Sequence, residues 1–181
     1  MEASIKELGE RHPDTLNCIA NLASTYNNQG RWKEAEQLEV QVMEASIKEL
    51  GERHPNTLIS MANLAWTYRN QGQWKEAEQL QAQVMEARKK ELGERHPSTL
   101  ISMASLAFIW KSQGRKNNAL LLMKECSRLQ QQVLGSKHPD TMASFVALEQ
   151  WQMEKKFGLK IKRRFKPSRV VFQRVKGCRV V

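Results

Sequence analysis

Apolar residues along most of the chain recur at spacings of three and four. Leu16, Ile19, Leu22, Ala23 and Tyr26 fall on one face of a helix, and so do Leu58, Met61, Leu64, Ala65 and Tyr68. These stretches predict helices from about Asp14 to Gln29 and over the equivalent residues 42 positions later. A second stripe, Ala35, Leu38, Val42 and Ala45, predicts a helix from about Trp32 to Leu50; Ala77, Leu80, Val84 and Ala87 repeat it. Lys33, Glu36 and Gln37 are placed on its outer surface. Gly30, Gly72 and Gly114 break the pattern between the helices of a pair. A two-residue turn between two amphipathic helices makes an antiparallel hairpin.

The pattern is periodic on a larger scale. Gly-Glu-Arg-His-Pro stands at 9–13, 51–55 and 93–97 and returns as Gly-Ser-Lys-His-Pro at 135–139, a step of 42 residues each time. A fixed period of that size marks a repeat array. Each unit is expected to bury its apolar face on its neighbours. Gly9, Gly51, Gly93 and Gly135 are expected to stop the preceding helix in the left-handed conformation. Asp14, Asn56, Ser98 and Asp140 follow the prolines, and each can accept from a free N–H of the first turn, so they read as N-caps.

Units 9–50 and 51–92 agree at 31 of 42 positions, but 93–134 agrees with its predecessor at only 18. The third unit keeps its first helix (Leu100, Met103, Leu106, Ala107, Trp110) and changes its second, where Lys116-Asn117-Asn118-Ala119 and an apolar run from Leu120 to Met123 appear. A fourth first-helix begins at Asp140 and loses the pattern after Leu148, as a capping helix would. Residues 1–8 match the end of a second helix without its first. That predicts a fragment, a truncated product, or an open N-terminal edge able to self-associate.

Charge divides the chain. All 19 acidic residues lie at or before Glu154 with 18 Lys and Arg, and residues 155–181 hold 11 Lys and Arg and no acid. The array is near neutral; the basic tail is expected to be disordered. The tail admits three readings: an arm that holds nucleic acid or an anionic surface through Lys162, Arg163, Arg164 and Lys166; a nuclear-import signal; or sequence past the array with no role of its own. The odd cysteine count (Cys18, Cys126, Cys178) and the absence of Cys-x-x-Cys predict reduced thiols and a cytoplasmic protein. No signal peptide or membrane-spanning run is read.

Leu-Ala-x-x-Tyr-x-x-Gln-Gly-x-Trp-x-Glu-Ala-Glu-x-Leu, at Leu22–Leu38 and Leu64–Leu80, resembles a tetratricopeptide repeat. The 42-residue length and the Leu-Gly-x-x-His-Pro-x-Thr linker resemble the kinesin-light-chain subclass. Glu39 and Gln81 depart from the family, which often has an aromatic there. The resemblance implies an all-α fold, a right-handed α-solenoid of antiparallel helix pairs, over residues 1–154: a half repeat 1–8, repeats 9–50, 51–92 and 93–134, and a half repeat 135–154. It also implies that first helices line a groove for a peptide or helix. Opposite the buried stripes run Asn17, Asn21, Ser24, Asn28; Ile59, Asn63, Trp66, Asn70; and Ile101, Ser105, Phe108, Ser112, with Asn27, Arg69 and Lys111 beside them. Asn amides pair with backbone groups of an extended peptide, and Trp66 and Phe108 are anchor types.

Such arrays also occur behind NACHT or NB-ARC nucleotide-binding modules, so a sensor or regulatory arm of a nucleotide-switch receptor is an alternative. The four His share one linker with no second ligand at metal-binding spacing, which predicts a structural loop role. Trp32 and Trp74 are read as packing at the turn. No phosphate loop, nucleophile elbow or paired zinc motif is present, so neither enzyme activity nor a cofactor is expected. The reading is a non-catalytic scaffold with a protein or peptide partner; nucleic acid or a membrane surface enters only through the tail.

Overall fold

The structure is a computed structural model that describes residues 12–157. Seven helices and no strand occur among the described residues: α1 (Pro13–Gln29), α2 (Trp32–Leu50), α3 (Pro55–Gln71), α4 (Trp74–Leu92), α5 (Pro97–Ser112), α6 (Lys116–Leu134) and α7 (Pro139–Phe157). They fall into two compact units that divide between Gly93 and Glu94.

Each first helix begins one residue before the expected place, because histidine is the cap. His12, His54 and His96 have extended backbone, and their Nδ1 atoms accept from the N–H groups of Asp14, Asn56 and Ser98 at 3.3, 3.2 and 3.2 Å. His138 Nδ1 accepts from Asp140 N–H at 3.2 Å. This corrects the assignment of the cap to Asp14, Asn56, Ser98 and Asp140. The imidazole two residues upstream takes the backbone N–H of those residues themselves, and proline, with no N–H to satisfy, sits at the first helical position. Replacing His54 by Ala should cost about 1 kcal/mol, and His54→Asn should recover most of it, in urea melts followed by circular dichroism.

The glycines serve two turns. Gly30 is left-handed (φ 77°, ψ 11°), and the Arg31 N–H closes on Tyr26 O at 2.9 Å, ending α1 in a Schellman-type turn. Gly51 also has positive φ, but its ψ is 161°. The expected left-handed conformation is therefore corrected at Gly51, Gly93 and Gly135. The chain must leave the helix extended to set up the turn that returns His54 N–H to Gly51 O, and only glycine enters that region readily. Gly9 lies outside the described residues.

In unit one, α1 pairs with α2 and α3 with α4, and α2 also packs on α3. Leu58, Met61 and Val84 form a buried cluster closed by Met43, Ala62, Leu80 and Ala87. The buried stripe of α2 keeps two expected residues, Ala35 and Val42, and adds two that were not expected, Glu39 and Ser46. Ala35, Glu39, Val42 and Ser46 are buried, while Leu38 and Ala45 are half-buried; α4 repeats this with Ala77, Gln81, Val84 and Arg88. Helix α2 is gripped on both sides, by α1 and α3, so its innermost row is the one between these two neighbours, whatever its polarity.

In unit two, α6 packs on α5 and on α7. Leu100, Met103, Leu106, Ala107, Met123, Cys126, Leu129, Ala147, Leu148 and Trp151 are buried. Helix α7 runs unbroken through Lys155–Phe157, and Trp151 is only 5% exposed, so the pattern does not end at Leu148 as expected. The buried row of α7 is Thr141, Ser144, Ala147, Leu148 and Trp151. No helix of the described residues is long and apolar enough to cross a membrane.

Candidate functional site

The proposed groove row is best followed within unit one. α1 and α3 both pack on α2 and are joined to it by short turns, which sets each antiparallel to α2 and the two parallel to each other. A direct bond joins them: Asn27 Nδ2 donates to Thr67 Oγ1 at 2.8 Å. Asn27 thus marks the side of α1 that faces α3, and Thr67 the side of α3 that faces α1. One residue turns a helix by about 100°. Stepping forward from Asn27 to Asn28 and back from Thr67 to Trp66 rotates both to the same side of the pair. The rest follows by helical spacing: Asn28, Ser24, Asn21 and Asn17 on α1, and Trp66, Asn70, Asn63 and Ile59 on α3. Asn17, Asn21 and Asn28 are exposed; Ser24, Ile59, Asn63, Trp66 and Asn70 are half-buried. Arg69 is half-buried too, and desolvation lowers its guanidinium pKa below the usual value.

Asn27 is not part of that surface. It is buried, and it organises a polar cluster no apolar pattern points to. Its Nδ2 also donates to Glu39 Oε1 at 3.0 Å, and the Thr67 hydroxyl donates back to Asn27 Oδ1 at 3.1 Å. Glu39 is 5% exposed, and its Oε2 has no hydrogen-bond partner in the protein. Burial pushes its carboxyl up to about 7, against the hydrogen bonds of Thr67 and Asn27, with Glu36 adding a further upward push. One sequence signal pointed here: Glu39 stands where the family often carries an aromatic.

In unit two the row is Ile101, Ser105 and Phe108, half-buried, and Ser112, exposed. The structure engages two of its candidates with α7. Phe108 meets Trp151 edge to face at 5.1 Å between centroids. Lys111 pairs with Glu154 and lies 5.3 Å above the Trp151 ring. Lys111 occupies the position of Asn27 two repeats on, which explains why it points at the next first-helix.

Trp74 lies beside Gly72 and is half-buried, and Trp32 is 39% exposed with its carbonyl accepting from Gln71 at 3.1 Å. The buried Cys126 thiol, near Leu100 O at 3.1 Å, is pushed up to about 12 by desolvation, which leaves it in the unreactive protonated form. Among the described residues no group of three His, Cys, Asp or Glu is placed to hold a metal. Lys162, Arg163, Arg164 and Lys166 lie outside the described residues. The chemistry on offer is therefore amide hydrogen bonding and aromatic contact.

A model of the tetratricopeptide repeat family matches residues 18–90 and 67–132. The chain is a kinesin-light-chain-like tetratricopeptide-repeat protein. Two crystal structures of a Podosopora anserina putative kinesin light chain with nearly identical TPR-like repeats carry the subclass. One, of a variant with a single substitution, is 32% identical at a TM-score of 0.73, over 86% of this chain and 73% of that one. The other is 32% identical at 0.71, over 86% and 74%. BtubC (BKLC) from P. vanneervenii, 18% identical at 0.72 over 83% of this chain and 61% of that one, shares the fold. No curated protein matches the chain. Tetratricopeptide-repeat scaffolds of this fold typically mediate protein–protein interaction. Nothing in these similarities links the chain to a NACHT or NB-ARC module.

Proposed function

We propose that this tetratricopeptide-repeat protein binds an extended peptide or a helix across the first helices of unit one. Asn17, Asn21, Asn28, Asn63 and Asn70 would pair with the main chain of the partner, Trp66 would supply the apolar anchor, and Arg69 would border the site. The observation that supports this most is the shared side of Asn28 and Trp66, set by the buried Asn27–Thr67 bond. Amides carry both donors and acceptors, so they suit a backbone of any sequence; a half-buried Trp next to them suits one apolar side chain. In unit two, Phe108 and Lys111 would act together with the α7 residues they touch.

Peptides selected from a random phage-displayed library on the full chain provide the test. A chain carrying Asn63→Ala and Trp66→Ala should bind the selected peptides about thirtyfold more weakly or worse, corresponding to one hot spot of about 2 kcal/mol. Equal binding to the double variant, with its circular dichroism unchanged, would remove the groove from the account.

A further inference from the structure

Glu39 is a buried carboxyl whose Oε2 has no hydrogen-bond partner, held in the joint between two repeats. Its α2 neighbour Glu36 is another carboxylate, whose Oε2 takes the Gln71 amide at 2.7 Å. From α3 come Tyr68, whose phenol is raised by desolvation and by the charges of Glu36, Glu76 and Glu39, and Arg69, at the Asn27 position of the next repeat. From α1 comes the neutral Asn27; the charged residue of that helix is Asp14, at its far end. The same position holds Gln81 in α4, also buried at 3% exposed, and Met123 in α6. Neutral groups occupy this place in the other two repeats, and the first alone puts an ionisable group there.

We propose that the Asn27–Glu39–Thr67 cluster is a proton-sensitive joint, which locks the α1–α2 hairpin onto α3 when Glu39 is protonated and loosens it when Glu39 ionises. The bond from Asn27 to Oε1 leaves the other oxygen buried and unpaired. A neutral carboxyl tolerates that; a carboxylate needs partners for both oxygens or water. The folded form holds its proton up to about pH 7, whereas the exposed side chain in the opened form releases it near the ordinary glutamate value. The opened state therefore has fewer protons across that interval. Glu39 adds stability that is fully present below the ordinary value and is lost as the pH rises through about 7. The joint does not depend on the peptide reading of the groove.

The test is a carbon-13 titration of the Glu39 side-chain carboxyl in the full chain, with amide hydrogen exchange of α1 and α2 from about pH 5 to 8. A carboxyl midpoint near 7 is expected, together with α1–α2 protection factors on the order of a hundredfold higher at about pH 5 than at about pH 8. Glu39→Gln should abolish that pH dependence, and Gln81 shows that the site accommodates the amide; Glu36→Gln should keep it with a lower midpoint. A wild-type midpoint near the ordinary value of about 4.3, or an unaltered exchange profile in Glu39→Gln, would overturn the proposal. The first of these readouts needs no variant, so a folding failure of Glu39→Gln would leave the proposal decided by the wild-type titration.

Discussion

Replacing Trp151 by Ala should destabilise unit two by about 3–5 kcal/mol, the usual cost of emptying a large aromatic site. The ring is 5% exposed, receives the edge of Phe108 at 5.1 Å and lies under the Lys111 ammonium. Its loss removes dispersion contacts, an aromatic pair worth about 0.5–1.5 kcal/mol beyond its area, and a cation–π contact. Denaturant unfolding followed by circular dichroism measures the total. Trp151→Phe should retain more than half of it, because Phe keeps the apolar body and the edge-to-face partner. A loss below about 1 kcal/mol for Trp151→Ala would mean that α7 is not a structural part of this unit. Exchange of the α7 amides would then already be fast in the wild type.

Asn27→Ala should cost unit one about 2–5 kcal/mol, far more than a surface Asn on the neighbouring row. The substitution strips the partner from Glu39 Oε1 and from Thr67 Oγ1 at once, in a place closed to solvent. The penalty comes from the groups left behind, so removing them should restore stability. Asn27→Ala combined with Glu39→Leu should be more stable than Asn27→Ala alone by at least about 1 kcal/mol. Equal stability of the single and double variants would show that the carboxyl finds another partner. Asn28→Ala, one residue on and exposed, should stay within about 0.5 kcal/mol of wild type and serves as the control.

What the sequence made legible follows from what its patterns measure. The 42-residue recurrence and the three-and-four spacing located the helices within a residue or two, since period and turn residues are local signals. Burial is not local. Leu38 was placed on the inner face of α2 and Glu39 was not, yet the two-sided grip on α2 puts Glu39 at its centre. A polarity-based reading cannot find such a position, because it assumes that charge faces water. The groove row was drawn as one helical face, but Asn27, Arg69 and Lys111 look equivalent beside it and prove different: one is wholly buried, one half-buried and desolvated, and one tied to Glu154. The caps were missed by two residues for a simpler reason. Histidine is absent from the usual capping residues, although its Nδ1 reaches the second N–H of the helix as an Asp oxygen would. Trp151 escaped notice because Glu149, Gln150 and Gln152 interrupt the apolar count around it.

The three linker glycines share one backbone setting, with φ of 88°, 91° and 86° and ψ of 161°, 161° and 163°. Each of these helix ends therefore leaves its glycine in the same backbone direction. A gene that gains or loses a stretch of 42 codons in frame between two such glycines would join ends already shaped for each other, with no new turn to evolve. Substitutions at the glycines would carry backbone strain in any copy, whereas the outer helical faces could drift. Tandem copies of this sort could thus lengthen, shorten and diversify their contact surface by recombination, while each linker glycine kept the same backbone setting.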